Sequence, residues 1–94
     1  MLFHIRYIDK PGRAELRAQT RADHLAHIGK FADQVMIGGP TLSDDGEEMT
    51  GSVILLEAAD RAAAEAFSAD DPYVKAGLFE SVVIRRFRKT VPAD

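Results

Sequence analysis

His24 carries the one side-chain type whose ordinary pKa lets it change charge near neutral pH. Placed on a helix, it shares a face with Arg17, Arg21, Leu25, Ile28, Phe31 and Val35 at 3.6 residues per turn. That stripe is apolar at its C-terminal end and turns polar toward its N-terminal half. A helix packed on a sheet along its whole length does not ordinarily direct two guanidinium groups and an imidazole toward its core. The pattern predicts a cleft at that end, with water or a polar ligand in it. A plainer use is open for each residue: His24 as a half-buried structural group bonded to backbone, Arg17 and Arg21 as solvated groups lying over a sheet edge by their methylene stems. His27 lies to one side of the stripe and is expected to face solvent.

A second concentration of chemistry lies in "DDPYVKAG", Asp70 to Gly77. Asp70 or Asp71 can cap a short helix that begins at Pro72, because proline is preorganised for the first helical position and an acid before it accepts backbone N–H groups. Tyr73 then reads as a packing residue with a satisfied hydroxyl. By the same logic "IGGP", Ile37 to Pro40, reads as a strand-ending turn, and Glu47 and Glu48 as part of a solvated loop.

The elements that must position these residues follow from periodicity. Leu2 to Ile8 alternates Phe3, Ile5 and Tyr7 against Leu2, His4, Arg6 and Ile8, the period-two mark of a strand. Pro11 and Gly12 end it. The content of Arg13 to about Ala32 suits a helix with an interruption in its first half. Val35 to Ile37 makes a short strand that stops at "GGP", and "LSDDGEEMTG" makes an exposed loop. Ser52 to Glu57 is a strand apolar on both faces, with Val53 and Leu55 on one side and Ile54 and Leu56 on the other. Asp60 caps a helix over Arg61 to Ala69, and Ser81 to Arg88 is the last strand. The order βαββαβ makes a ferredoxin-like α+β sandwich, an antiparallel sheet covered by helices on one face. Because the third strand would leave a contiguous apolar patch on the other face, the expectation is a homodimer whose sheets pack face to face, with His4 toward that interface.

Composition narrows the classes. The length suits one domain over residues 1–94, with the tail from about residue 89 frayed. A net charge of −3 gives no general attraction for phosphate backbones, so nucleic acid is not an expected partner despite the local run Arg85, Arg86, Arg88, Lys89. The absence of cysteine removes disulfides, thiolate metal sites and a cysteine nucleophile together. Neither a signal-peptide pattern nor an apolar run of membrane-spanning length is present, which makes cytoplasmic residence the default. No cofactor motif is visible, since "GGP" is neither a dinucleotide-binding nor a Walker-type loop, and scattered His and Asp residues do not form a metal-ligand set.

The succession "RADHL", "IGGP", "TGSVIL", "DDPYVKAGLF" and "VVIRRF" resembles the YciI-like, or YCII-related, family along nearly the whole chain. The resemblance implies a dimeric α+β barrel of ferredoxin-like protomers and a site that pairs a histidine with an aspartate, which map to His24 and Asp71. If Asp71 reaches His24 it selects the imidazole tautomer, and His24 then serves as general base or acid while Arg17 or Arg21 holds an anionic or enolic oxygen. Tyr73 is a weaker candidate, as a substrate-side hydroxyl or wall. The implied activity is cofactor-free isomerisation or elimination on a small cyclic or aromatic molecule. Two alternatives stay open: a binding or sensing module in which the same residues only anchor a ligand, and a cofactor-free oxygenation of the kind found in related barrels.

Overall fold

In the computed structural model, which describes residues 1–93, the alternating segment at the start forms β1 (Leu2–Asp9). It is followed by α1 (Ala14–Gly29), β2 (Val35–Leu42), β3 (Met49–Glu57), α2 (Arg61–Ala69), α3 (Pro72–Lys75) and β4 (Phe79–Phe87). The sheet order is β2-β3-β1-β4 and each neighbouring pair is antiparallel. This is the expected ferredoxin-like α+β arrangement, with the short α3 inserted before the last strand. Residues 88–93 carry no regular element, and Asp94, the end of the expected frayed tail, lies outside the described residues.

One parity of β1 builds the core. Phe3, Ile5 and Tyr7 are at most 1% exposed and cluster with Ile54 and Leu56 of β3 and with Ala64 and Phe67 of α2. Burying such side chains contributes about 1.5–3 kcal/mol each and fixes the register, because a one-residue slip would turn them outward. The other parity stays partly open: Leu2, Ile8, Val53, Leu55 and Val83 are half-buried, and Phe87 is exposed beside His4, their rings stacked at 6.1 Å.

Boundaries of four elements differ from the sequence expectation. The glycines and proline of "IGGP" do not end β2, which continues to Leu42 with Gly38 opposite Ile54, Gly39 opposite Val53 and Pro40 opposite Ser52. β2 is an edge strand, where a residue without an N–H is tolerated, and β3 starts at Met49 rather than Ser52, so it supplies partners along the whole segment. α1 runs without interruption and ends at Gly29, its last turn tightened by bonds from Lys30 N–H to His27 O (3.1 Å) and Phe31 N–H to Ile28 O (2.9 Å). β4 begins at Phe79 and ends at Phe87 rather than spanning Ser81 to Arg88.

The second half of the chain is pinned by local bonds. Asp60 caps α2 as expected, its Oδ1 accepting Ala63 N–H at 2.8 Å. α3 has only one turn and is closed at both ends. Asp71 Oδ1 accepts Tyr73 N–H at 2.9 Å, and Pro72 takes the first position. At the other end Gly77 adopts φ 76°, its N–H donating to Val74 O (3.0 Å) while Leu78 N–H reaches Tyr73 O (3.1 Å). That pair of bonds is a Schellman closure, for which a left-handed glycine is the natural residue.

Candidate active site

α1 presents Arg17, Thr20, His24 and His27 inward, a spacing of three, four and three that follows one helical face. Its neighbouring face, with Arg21, Leu25 and Ile28, borders a cavity of about 300 Å³ between α1 and the β2–β3 half of the sheet. Arg17, His24 and Tyr73 line the same cavity. Both arginines therefore reach the cleft, Arg17 from a buried position (6% exposed) and Arg21 from the exposed rim.

α3 brings Asp71 to His24. His24 Nδ1 lies 2.9 Å from Asp71 Oδ1 and 3.0 Å from Oδ2, and Asp71 is only 1% exposed. A carboxylate accepts, so Nδ1 carries the proton as donor, and the other ring nitrogen, Nε2, is left as an acceptor when the ring is neutral. Nε2 has no hydrogen-bond partner among the described residues. The imidazole is also held from one side, where its ring stacks on Tyr73 at 4.0 Å and 14°. Asp71 thus caps α3 and orients His24 with the same carboxylate. The cap sets where Tyr73 begins its turn, and Tyr73 in turn backs the ring that Asp71 aims.

Arg17 is fixed more firmly than any sequence pattern suggested. Its Nε and Nη2 grip Asp9 Oδ2 and Oδ1 at 2.9 and 3.0 Å, and Nη2 also bonds Gly51 O (2.9 Å) and Ser52 Oγ (3.1 Å). Nη1 makes none of these four bonds. The guanidinium carbon sits 4.9 Å from the Tyr73 ring centroid. Burial works against the charged guanidinium, but the bonds and charge of Asp9 outweigh it and raise the Arg17 pKa above its ordinary value. Burial also pushes the Tyr73 phenol up, against the opposing pull of the Arg17 charge and hydrogen bond and of Arg21. Tyr73 is therefore a neutral donor at working pH, beside two cations.

His27 departs from the expectation that it faces solvent. It is 8% exposed, its Nε2–H donates to Phe67 O at 2.9 Å, and its ring packs between Phe31 and Phe67, each 5.2 Å away. The inward face of α1 is centred between His24 and His27, because the helix leans on α2 and α3 as well as on the sheet. Asp9 and Ser52, which anchor Arg17, carried weaker signals. Asp9 extends the buried parity Phe3, Ile5, Tyr7, and a carboxylate on that side needs a cation. Among the described residues no group of three or more His, Asp or Glu side chains is placed to hold a metal ion. None of the helices there is long and apolar enough to cross a membrane.

The fold recurs in known proteins. Protein YciI of Escherichia coli O6:H1 is 33% identical, covering 95% of this chain and 98% of the relative. The solved structure of 5-chloro-2-hydroxyhydroquinone dehydrochlorinase (TftG) from Burkholderia phenoliruptrix AC1100, in complex with 2,5-dihydroxybenzoquinone, is 35% identical, with a TM-score of 0.90 and 100% of both chains covered. An antibiotic biosynthesis monooxygenase, 15% identical with a TM-score of 0.53 over 95% of this chain and 100% of its own, shares the fold alone. The YCII-related domain matches residues 1–88, and with that extent of agreement the chain belongs to the YCII-related family.

Proposed function

We propose that this chain is a cofactor-free acid–base enzyme of the lyase type, eliminating a leaving group from a small hydroxylated ring. The observation that carries this reading is the His24–Asp71 pair at 2.9 Å, opening onto a cavity that Arg17 and Arg21 also line. Neutral His24 takes a ring or hydroxyl proton on Nε2, and Asp71 steadies the imidazolium that forms. On a hydroxyquinol, His24 returns a hydroxyl proton to the halogen-bearing ring carbon, giving a keto tautomer; loss of a second hydroxyl proton then drives halide off that sp³ carbon and leaves a quinone, with HX released overall. The arginines and the Tyr73 hydroxyl hold the oxygen on which negative charge collects. The likeness to a dehydrochlorinase at 35% identity over the full chain supports a halogenated hydroxyquinol as the first substrate to try.

The test is chloride release from 5-chloro-2-hydroxyhydroquinone, followed by ion chromatography against an enzyme-free control. The expected result is saturable release that His24→Ala removes while the far-ultraviolet circular dichroism stays unchanged. Release that survives His24→Ala would sink the assignment. Saturable binding of 2,5-dihydroxybenzoquinone with no turnover of any halogenated ring would replace it with the binding-module reading.

The same reading includes a homodimer through the open sheet face. Its support is the half-buried set Leu2, Ile8, Val53, Leu55 and Val83 opposite the helices, with Ile37 62% exposed beside them. Sedimentation equilibrium should give twice the chain mass, and Val53→Asp with Leu55→Asp should shift it to the monomer.

A further inference from the structure

Four of the seven glycines have an evident backbone reason. Gly12, Gly46 and Gly77 have φ of 72°, 76° and 76°, and a Cβ on Gly51 would overlap Tyr7 O. Gly38 has neither reason. Its backbone is ordinary strand, and a Cβ there would meet Ile54 Cγ1 at 3.4 Å and Val35 Cγ1 at 3.7 Å, which is van der Waals contact. It pairs with Ile54, which is 3% exposed on the helix side of the sheet, so the missing side chain is missing from the cavity. Strand positions with a buried inner face favour branched side chains, and a glycine there gives up packing and backbone entropy. Here it opens space.

The cavity is also polarised along its length. Arg17 is bonded to Gly51 O and Ser52 Oγ at one end, whereas Ile28, Val35 and Ile54 line the other. Ser52 and Ile54 are two strand residues apart, about 7 Å, which is the width of a single ring. A hydroxylated ring of roughly ten non-hydrogen atoms, packed at interior density, fills about half of the available space.

We infer that the substrate carries an uncharged apolar substituent, a short alkyl chain or a large halogen, and that Gly38 is the specificity residue that admits it. The inference rests on the proposed ring substrate and adds its second half. With its oxygens on Arg17 and Arg21, the ring directs that substituent between Val35, Gly38 and Ile54.

Isothermal titration of 2,5-dihydroxybenzoquinone and its 3-methyl, 3-ethyl and 3-propyl derivatives tests this. The wild type should bind about fourfold more tightly per added carbon, the transfer gain of one buried methylene. In Gly38→Val that gain should disappear, the propyl ring losing more affinity than the parent ring does. If Gly38→Val does not fold, Gly38→Ala is read instead and should lose the gain at propyl first. Binding of the parent ring with no chain-length dependence in the wild type overturns the inference alone, as does an equal loss for parent and propyl ring in the variant. No binding of any of the four rings overturns the ring-substrate reading and this inference with it.

Discussion

Replacing Asp71 by Asn separates two tasks that one carboxylate performs. Asn keeps an oxygen for Tyr73 N–H, now 2.9 Å from Asp71 Oδ1, and Asn is as good a helix cap as Asp. The other position, 3.0 Å from His24 Nδ1, receives an amide NH₂. Two N–H groups repel there, so either Nδ1 gives up its proton to Nε2 or it turns onto Oδ1 alone, 2.9 Å away and already accepting from Tyr73 N–H. In the first case the cavity-side nitrogen becomes a donor and cannot accept a proton from substrate. Losing the charge-assisted bond costs about 1.5–3 kcal/mol, partly offset because the neutral amide is cheaper to bury, so a net loss of about 1–2 kcal/mol is expected. For a domain of this size that is a fall in Tm of roughly 4–16 °C. Turnover should fall far more, by about 10²–10⁴, the range seen when a base is held in the wrong tautomer. Long-range ¹⁵N–¹H correlation spectra of the histidine rings read the tautomer without any substrate. The wild type should show Nδ1–H at His24, and Asp71→Asn should show Nε2–H. A wild-type spectrum with Nε2–H, or a variant with unchanged tautomer and undiminished chloride release, would refute the reasoning.

Arg17→Met should cost about 3–5 kcal/mol in urea denaturation, because it strands the Asp9 carboxylate, whose side chain is 9% exposed. Adding Asp9→Asn should recover part of that loss, a non-additive result that independent sites would not give. Gly51→Ala should fail to accumulate folded protein, since its Cβ would overlap Tyr7 O and only β1–β3 separation could make room. Alkali should destabilise the fold. Burial raises the Tyr7 phenol well above its ordinary 10.0, so the unfolded chain releases that proton first and stability, full below pH 10, falls as pH rises toward the folded-state value. The expected slope in denaturant midpoints is up to about 1.4 kcal/mol per pH unit for this group, and Tyr7→Phe should flatten it.

The parts of this fold that were legible in the sequence are those where one physical rule acts alone. β1 shows strict alternation because one face is buried and the other is not, and Asp60 and Asp71 precede helices they cap. Legibility failed where tertiary context overrode a local rule. "IGGP" carries three breaker residues, yet an edge position and a long β3 keep it in the sheet. His27 was misplaced because a helical wheel drawn on apolar residues assumes one packing partner, whereas α1 leans on α2, α3 and the sheet. Of the site, His24, Arg17 and Arg21 could be singled out by type and stripe, but Asp71 and Tyr73 read as a cap and a packing residue, and bringing Asp71 to His24 took a family resemblance. The two are 47 positions apart, and no periodicity spans that distance.

The Asp71 bond to the Tyr73 amide ties the assembled site to the persistence of a single helical turn. Whenever α3 opens, the cap, the ring that backs His24 and the carboxylate that aims it are released in one event. Under the proposed function, the fraction of molecules able to react is the fraction in which one backbone proton, that of Tyr73, is protected from exchange with solvent. Its exchange rate counts the competent population directly, and a ligand that selects that population should slow this proton more than any other in the turn.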